Sequence, residues 1–145
     1  MDRAALDVAS SLEIPCGGWC PRGRRAEDGP LPARYRMFET PSAAYVQRTE
    51  WNVRDSDGTL ILSSGPLEGG SALTAEVAER YRRPLLVADP RRVDPVAVRG
   101  WIEEHGVRVL NVAGPRASRD PEAYEGAERL LRAVLRPPRA PAKGP

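Results

Sequence analysis

Three stretches of this sequence bring together residues that could hold an anion or a planar ring. The first is Ser64-Gly65-Pro66-Leu67-Glu68-Gly69-Gly70-Ser71, between an apolar run and a helical pattern. Two adjacent glycines let the backbone approach a ligand closely. The first amides of a following helix are free donors, so the guest expected there is phosphate or another oxyanion. Ser71 and Thr74 add hydroxyls, and Glu76 adds an acid able to contact a ligand or act as a base. The same glycines also suit a plain tight turn. The second stretch is Ala113-Gly114-Pro115-Arg116, where Gly114 and a bidentate Arg116 could clasp a phosphate. The third is CGGWCPRGRRAEDG from Cys16. Gly17 and Gly18 offer close backbone, Trp19 an aromatic face, and Arg22, Arg24 and Arg25 positive charge offset by Glu27 and Asp28. Asn52 and Asp55 fall one helical turn apart and are expected to face the same ligand cleft.

Metal and thiol chemistry find less support. Cys16 and Cys20 are spaced C-x3-C, and His105 is the only histidine. A structural zinc needs four ligands, and a redox pair normally has two intervening residues, so no metal site is expected.

The elements that must position these groups follow from periodicity. Residues 2–12 read as a helix, and 14–16 as a very short strand. Residues 17–39 read as a long irregular stretch, of the kind often kept for function. Thr40-Pro41 is expected to cap and open a helix reaching Asp55. Asp94-Pro95 and Asp120-Pro121 repeat the device before helices at 95–105 and 121–135, and Gly106 is expected to end the first in a left-handed cap. A helix is also expected from Ser71 to about Arg82. Between the helices lie apolar runs at 59–62, 85–88 and 107–112, apolar on consecutive positions as strands buried on both faces are. Strand and helix in alternation predict an α/β fold with a mainly parallel sheet. In such sheets ligands sit beyond the carboxyl ends of the strands.

Composition sets the outer bounds. The chain has 145 residues, 41% hydrophobic and 29% charged, which predicts one globular domain over 1–136. The proline-rich end 137–145 is expected to be a disordered tail. The 22 basic and 20 acidic residues leave +2, too little for bulk attraction to nucleic acid. No apolar run spans a membrane and no secretory signal opens the chain, so a cytoplasmic setting is expected.

Five blocks in order carry a family resemblance: DRAALDVA, IPCGGWCPRGRRAEDGP, ETPSAAY-x-QRTEWNVRDSDGTLIL, GPLEGGSALTAE and VLNVAGPR. Together they resemble the putative molybdenum carrier family, a circularly permuted branch of the SLOG superfamily of Rossmann-like ligand-binding proteins. The resemblance implies a Rossmann-like three-layer sandwich and a small-anion binding protein carrying molybdate or molybdenum cofactor. The superfamily also implies an alternative, a nucleotide-binding or nucleotide-processing enzyme of the phosphoribohydrolase type using Glu76. Gly69, Gly70 and Glu76 match the glycines and acid of a PGGxGTxxE motif in those enzymes, whereas Ala72 and Leu73 stand where it has Gly and Thr. Ala113 to Arg116 resembles the glycine-plus-arginine loop that usually opens the fold. Family members open with a strand and a GGQTG-type loop ahead of DRAALD, so that first strand is expected to be missing here. The implied partner is a small anionic or nucleotide-like ligand, with no membrane and no nucleic acid, and a homo-oligomer is allowed.

Overall fold

A computed structural model describes residues 2–26, 29–115 and 122–136. The elements in chain order are α1 (Asp2–Ser11), β1 (Trp19–Cys20), β2 (Phe38–Glu39), α2 (Tyr45–Arg54) and β3 (Gly58–Leu62). They continue with α3 (Gly69–Arg80), β4 (Leu85–Ala88), α4 (Pro95–Glu104), β5 (Leu110–Ala113) and α5 (Ala123–Leu135). No strand precedes α1 among the described residues.

β3 is buried at all five positions, as its unbroken apolar run predicts, and forms the centre of a parallel sheet ordered β4-β3-β5. Side chains alternate between the two faces of a strand. Leu60 and Leu62 therefore join α1, α4 and α5 in the larger core, with Val8, Val98 and Leu131 fully buried. On the opposite face, Val53 of α2 and Val77 and Ala78 of α3 form a second cluster against Leu85. The common right hand of parallel crossovers accounts for this division. The chain steps outward from β3 to β4 through α3, then back past β3 to β5 through α4, so the two helices fall on opposite faces.

Several boundaries differ from the sequence expectation. The short strand is Trp19–Cys20 rather than 14–16, because Pro15 has no amide to pair, and it forms a parallel couple with Phe38–Glu39. Thr40 does not cap a helix. Its hydroxyl donates to the carbonyls of Cys20 (3.3 Å) and Ser42 (2.9 Å), and α2 begins only at Tyr45. Asp94 does cap α4, accepting the Val96 amide at 2.9 Å, and Gly106 takes the left-handed conformation at φ 61°. The Asp120-Pro121 device lies outside the described residues; α5 starts at Ala123.

β5 starts at Leu110 because the amides before it are taken by Asp57. Its Oδ2 accepts the amides of Val109 (2.8 Å) and Arg108 (3.0 Å), which holds its carboxyl below the usual carboxylate range. A carboxyl lowered in the folded state stabilises above its unfolded pKa, and that contribution is lost as pH falls through the lower folded value. Asp57→Asn is therefore expected to flatten the acid limb of the stability curve below about pH 4. Melting temperatures from neutral pH into that acid range check it; equal slopes in both proteins would contradict the assignment.

Candidate functional site

Strands rise from one end of the sheet and helices return to it, so every strand-to-helix loop lies at the carboxyl edge. There β3 leads to α3 on one face while β4 and β5 lead to α4 and α5 on the other. The carboxyl end of β3 is thus where the helices part to the two faces, the place where parallel sheets bind ligands.

The connection from β3 to α3 fills this position. Ser63 Oγ donates to the Gly65 carbonyl at 2.9 Å, which folds the start of the loop. Gly69 opens α3 at φ 52°, a left-handed conformation that favours glycine. Built side chains at Gly65, Gly69 and Gly70 would stand in open space, with no neighbouring atom within 4 Å. α3 has no side-chain cap at Glu68 and no acid in its first turn. The Glu68 carbonyl takes the Ser71 amide, which leaves those of Gly69 and Gly70 without an intrahelical or side-chain acceptor. Ser71, in that first turn, is 5% exposed and its Oγ has no hydrogen-bond partner. A buried hydroxyl left unsatisfied is costly, and this one belongs to the residue after Gly69 and Gly70.

Gly65, Gly69, Gly70 and Ser71 are thus together, and Gly114 follows the end of β5, the strand next to β3. Arg116 lies outside the described residues. Thr74 is buried beneath the loop, but its hydroxyl proton is given to the Gly70 carbonyl at 2.7 Å, so it braces the turn and is no free donor. Glu76 points elsewhere. Its side chain is 69% exposed and lies 3.6 Å from Arg80, one turn along α3.

Asn52, Asp55 and the Gly17–Trp19 segment gather about the end of α2. Asn52 and Asp55 do share a face, as their spacing predicts, but that face is at the last turn of α2, beside the start of β3. Both are engaged with Trp19. Asn52 Oδ1 accepts the Trp19 amide at 2.8 Å, its Nδ2 donates to the Trp19 carbonyl at 3.0 Å, and Trp19 Nε1 donates to Asp55 at 2.7 Å. Two bonds from Arg54 together with that of Trp19 hold the Asp55 carboxyl below its usual range. Trp19 packs edge-on against Trp51 at 4.7 Å and lies 5.8 Å from Phe38. Gly18 is needed here, since a Cβ would come within 2.9 Å of Asn52 Oδ1 and φ is 144°. Gly17 is similarly close to the Arg36 carbonyl, at 3.1 Å. Gly17, Gly18 and Trp19 are thus packed about Asn52, Asp55 and the Arg36 carbonyl. Gly17 and Gly18 precede β1, and Trp19 is its first residue.

Arg24 is turned back on its own loop. Its guanidinium donates to the carbonyls of Leu31 (3.0 Å), Pro32 (3.0 Å), Tyr35 (2.5 Å) and Met37 (3.3 Å). Cys16 is exposed and Cys20 buried, with the Cys20 thiol pushed up chiefly by burial. Among the described residues no group of three metal-ligating side chains occurs, and no helix is long and apolar enough to cross a membrane.

One cluster carried no signal in the sequence. Asp7 of α1 accepts hydrogen bonds from Tyr35 (2.8 Å) and Tyr124 (2.5 Å), residues 28 and 117 positions away. The Tyr124 phenol is pushed up to about 12, first by that bond. The node ties the Arg24 loop and the start of α5 to α1.

A family model for circularly permutated YpsA SLOG proteins matches residues 1–135. The chain belongs to that family. Among solved structures it is similar to the crystal structure of a putative molybdenum carrier protein from Syntrophus aciditrophicus SB. The two are 49% identical with a TM-score of 0.88, over 92% of this chain and 87% of that one. No curated protein matches the chain. The mixed α/β architecture with parallel sheets is that of a Rossmann-like SLOG fold.

Proposed function

We propose that this SLOG-family chain is a binding protein for a small oxyanion-bearing ligand, held at the carboxyl edge of its sheet by the 65–71 loop. The observation that carries the reading is Ser71: a buried hydroxyl without a partner, in the first turn of a helix whose amides have no cap. A ligand oxygen would satisfy both at once, and the open space before Gly65, Gly69 and Gly70 fits its approach. The name of the Syntrophus relative makes molybdate the first ligand to try. The exposed, ion-paired position of Glu76 supports a carrier over a hydrolase, because a general base must reach the reacting group.

Ser71→Ala tests this directly. Removing one donor from a multidentate site is expected to weaken molybdate binding about five- to twenty-fold. The melting temperature without ligand should stay within about 2 °C, because the hydroxyl makes no bond to lose. Isothermal titration of both proteins gives the comparison, and equal affinities would remove Ser71 from the site.

A further inference from the structure

β4 ends the sheet, and no strand lies on its outer side among the described residues. The Pro84 carbonyl accepts the Thr59 amide at 2.9 Å, and the Ala88 carbonyl accepts the Ser63 amide at 3.0 Å. Residues 84, 86 and 88 therefore turn toward β3, and alternation points the amides and carbonyls of Leu85 and Val87 outward. Neither residue makes a hydrogen bond on that side with any described residue. The strand reads Leu85-Leu86-Val87-Ala88, with no charge or proline to deter pairing, and Val87 is 45% exposed.

The flanks of the strand decide which partner fits. Arg83 stands two residues before Leu85, and Asp89 two residues after Val87. A two-fold axis through Leu86 thus lays the segment against itself with opposite charges facing. Leu85 of one copy meets Val87 of the other, Arg83 meets Asp89, and each match occurs twice. Arg83 gives one N–H to the Arg54 carbonyl (3.2 Å), while Asp89 receives the Arg91 amide (3.0 Å) with Arg92 at 3.6 Å. The guanidinium keeps further donors and the carboxylate further lone pairs. β5, the other edge, has Arg108 before it and Gly114-Pro115 after it, so no such exchange of charges is open there.

We propose that two copies of this chain pair antiparallel along β4, joining two three-stranded sheets into one. Each Leu85–Val87 pair exchanges two backbone bonds, and the exposed Val87 gains an apolar neighbour. None of these residues belongs to the 65–71 loop, so the pairing stands apart from the oxyanion reading.

A four-residue edge makes a small interface of the reversible kind, so association must be followed against concentration. Sedimentation equilibrium of the full chain over about a hundred-fold range of concentration is the test, repeated with Val87→Lys and Arg83→Glu. The chain is expected to pass reversibly from monomer to dimer, more weakly at high salt. Val87→Lys sets a charge on the edge, and Arg83→Glu makes both end pairs repulsive. Each should raise the dissociation constant about ten-fold or more. An unchanged melting curve for Val87→Lys, whose side chain is exposed, shows that the fold is intact. A monomer at every concentration would overturn the pairing, as would a dimer that Val87→Lys leaves unweakened. A dimer weakened by Val87→Lys but untouched by Arg83→Glu would overturn the two-fold register.

Discussion

Replacing Arg24 with methionine is expected to lower stability by about 2–3 kcal/mol while leaving oxyanion affinity unchanged. The guanidinium draws four carbonyls between Leu31 and Met37 onto one side chain, and the Arg24 carbonyl accepts the Leu31 amide at 2.7 Å. Charge-assisted bonds to carbonyls are among the stronger ones, and methionine keeps the apolar stem without the donors. Some carbonyls regain water because the loop is part-exposed, which is why the expected loss stays below the sum of four bonds. For a chain of this size the loss is a fall in melting temperature of about 5–10 °C. Thermal melts and molybdate titration on the same samples separate the readings. A stable variant that binds about ten-fold more weakly would restore Arg24 to the ligand.

Asn52→Ala is expected to cost about 2–3 kcal/mol, from the opposite end of the sheet. β1 has one strand beside it: Phe38 and Thr40 amides donate to the carbonyls of Gly18 and Cys20, both at 2.8 Å. The Trp19 amide and carbonyl point the other way, and the Asn52 carboxamide meets both. A single side chain thus stands in for a neighbouring strand. Alanine would leave a backbone donor and acceptor unpaired, and the penalty is that of unmade bonds. Gly18→Ala pushes on the same amide, so the two substitutions are expected to be less than additive when combined. Urea unfolding of the singles and the double measures this; a loss below about 0.5 kcal/mol for Asn52→Ala would show the contact to be incidental.

Much of the fold was legible where local chemistry decides. Runs of consecutive apolar residues gave the strands at 59–62 and 85–88. Asp94, Pro95 and Gly106 bounded α4 because a cap, a preset φ and a left-handed glycine each act within a turn or two. Legibility failed where a distant partner competes. Thr40 has the hydroxyl of a cap, yet it is turned to the Ser42 carbonyl and shared with that of Cys20, twenty positions away, whose carbonyl also takes the Thr40 amide. The residues before β5 look like strand, yet Asp57 claims their amides.

The candidate site divides the same way. Glycines before a helix mark an anion loop from sequence alone, because the helix supplies its own donors. The i, i+3 spacing of Asn52 and Asp55 correctly put them on one face, but spacing says nothing about which end of the sheet that face meets. Nor does residue type tell whether an arginine serves a ligand or its own loop. Arg24 and Trp19 look like binding residues and are held in structural bonds, while Ser71 is, among the described residues, the buried hydroxyl without a partner.

The most direct test of the central claim is where an added oxyanion is felt. Titrating the isotope-labelled chain with molybdate and following amide and indole resonances would localise it. The amides of Gly65, Gly69, Gly70 and Ser71 are expected to shift saturably, with the Trp19 indole unmoved. Shifts confined to Trp19, Asn52 and Asp55, with the 65–71 loop silent, would contradict a site at the carboxyl edge and return the ligand to the other end of the sheet.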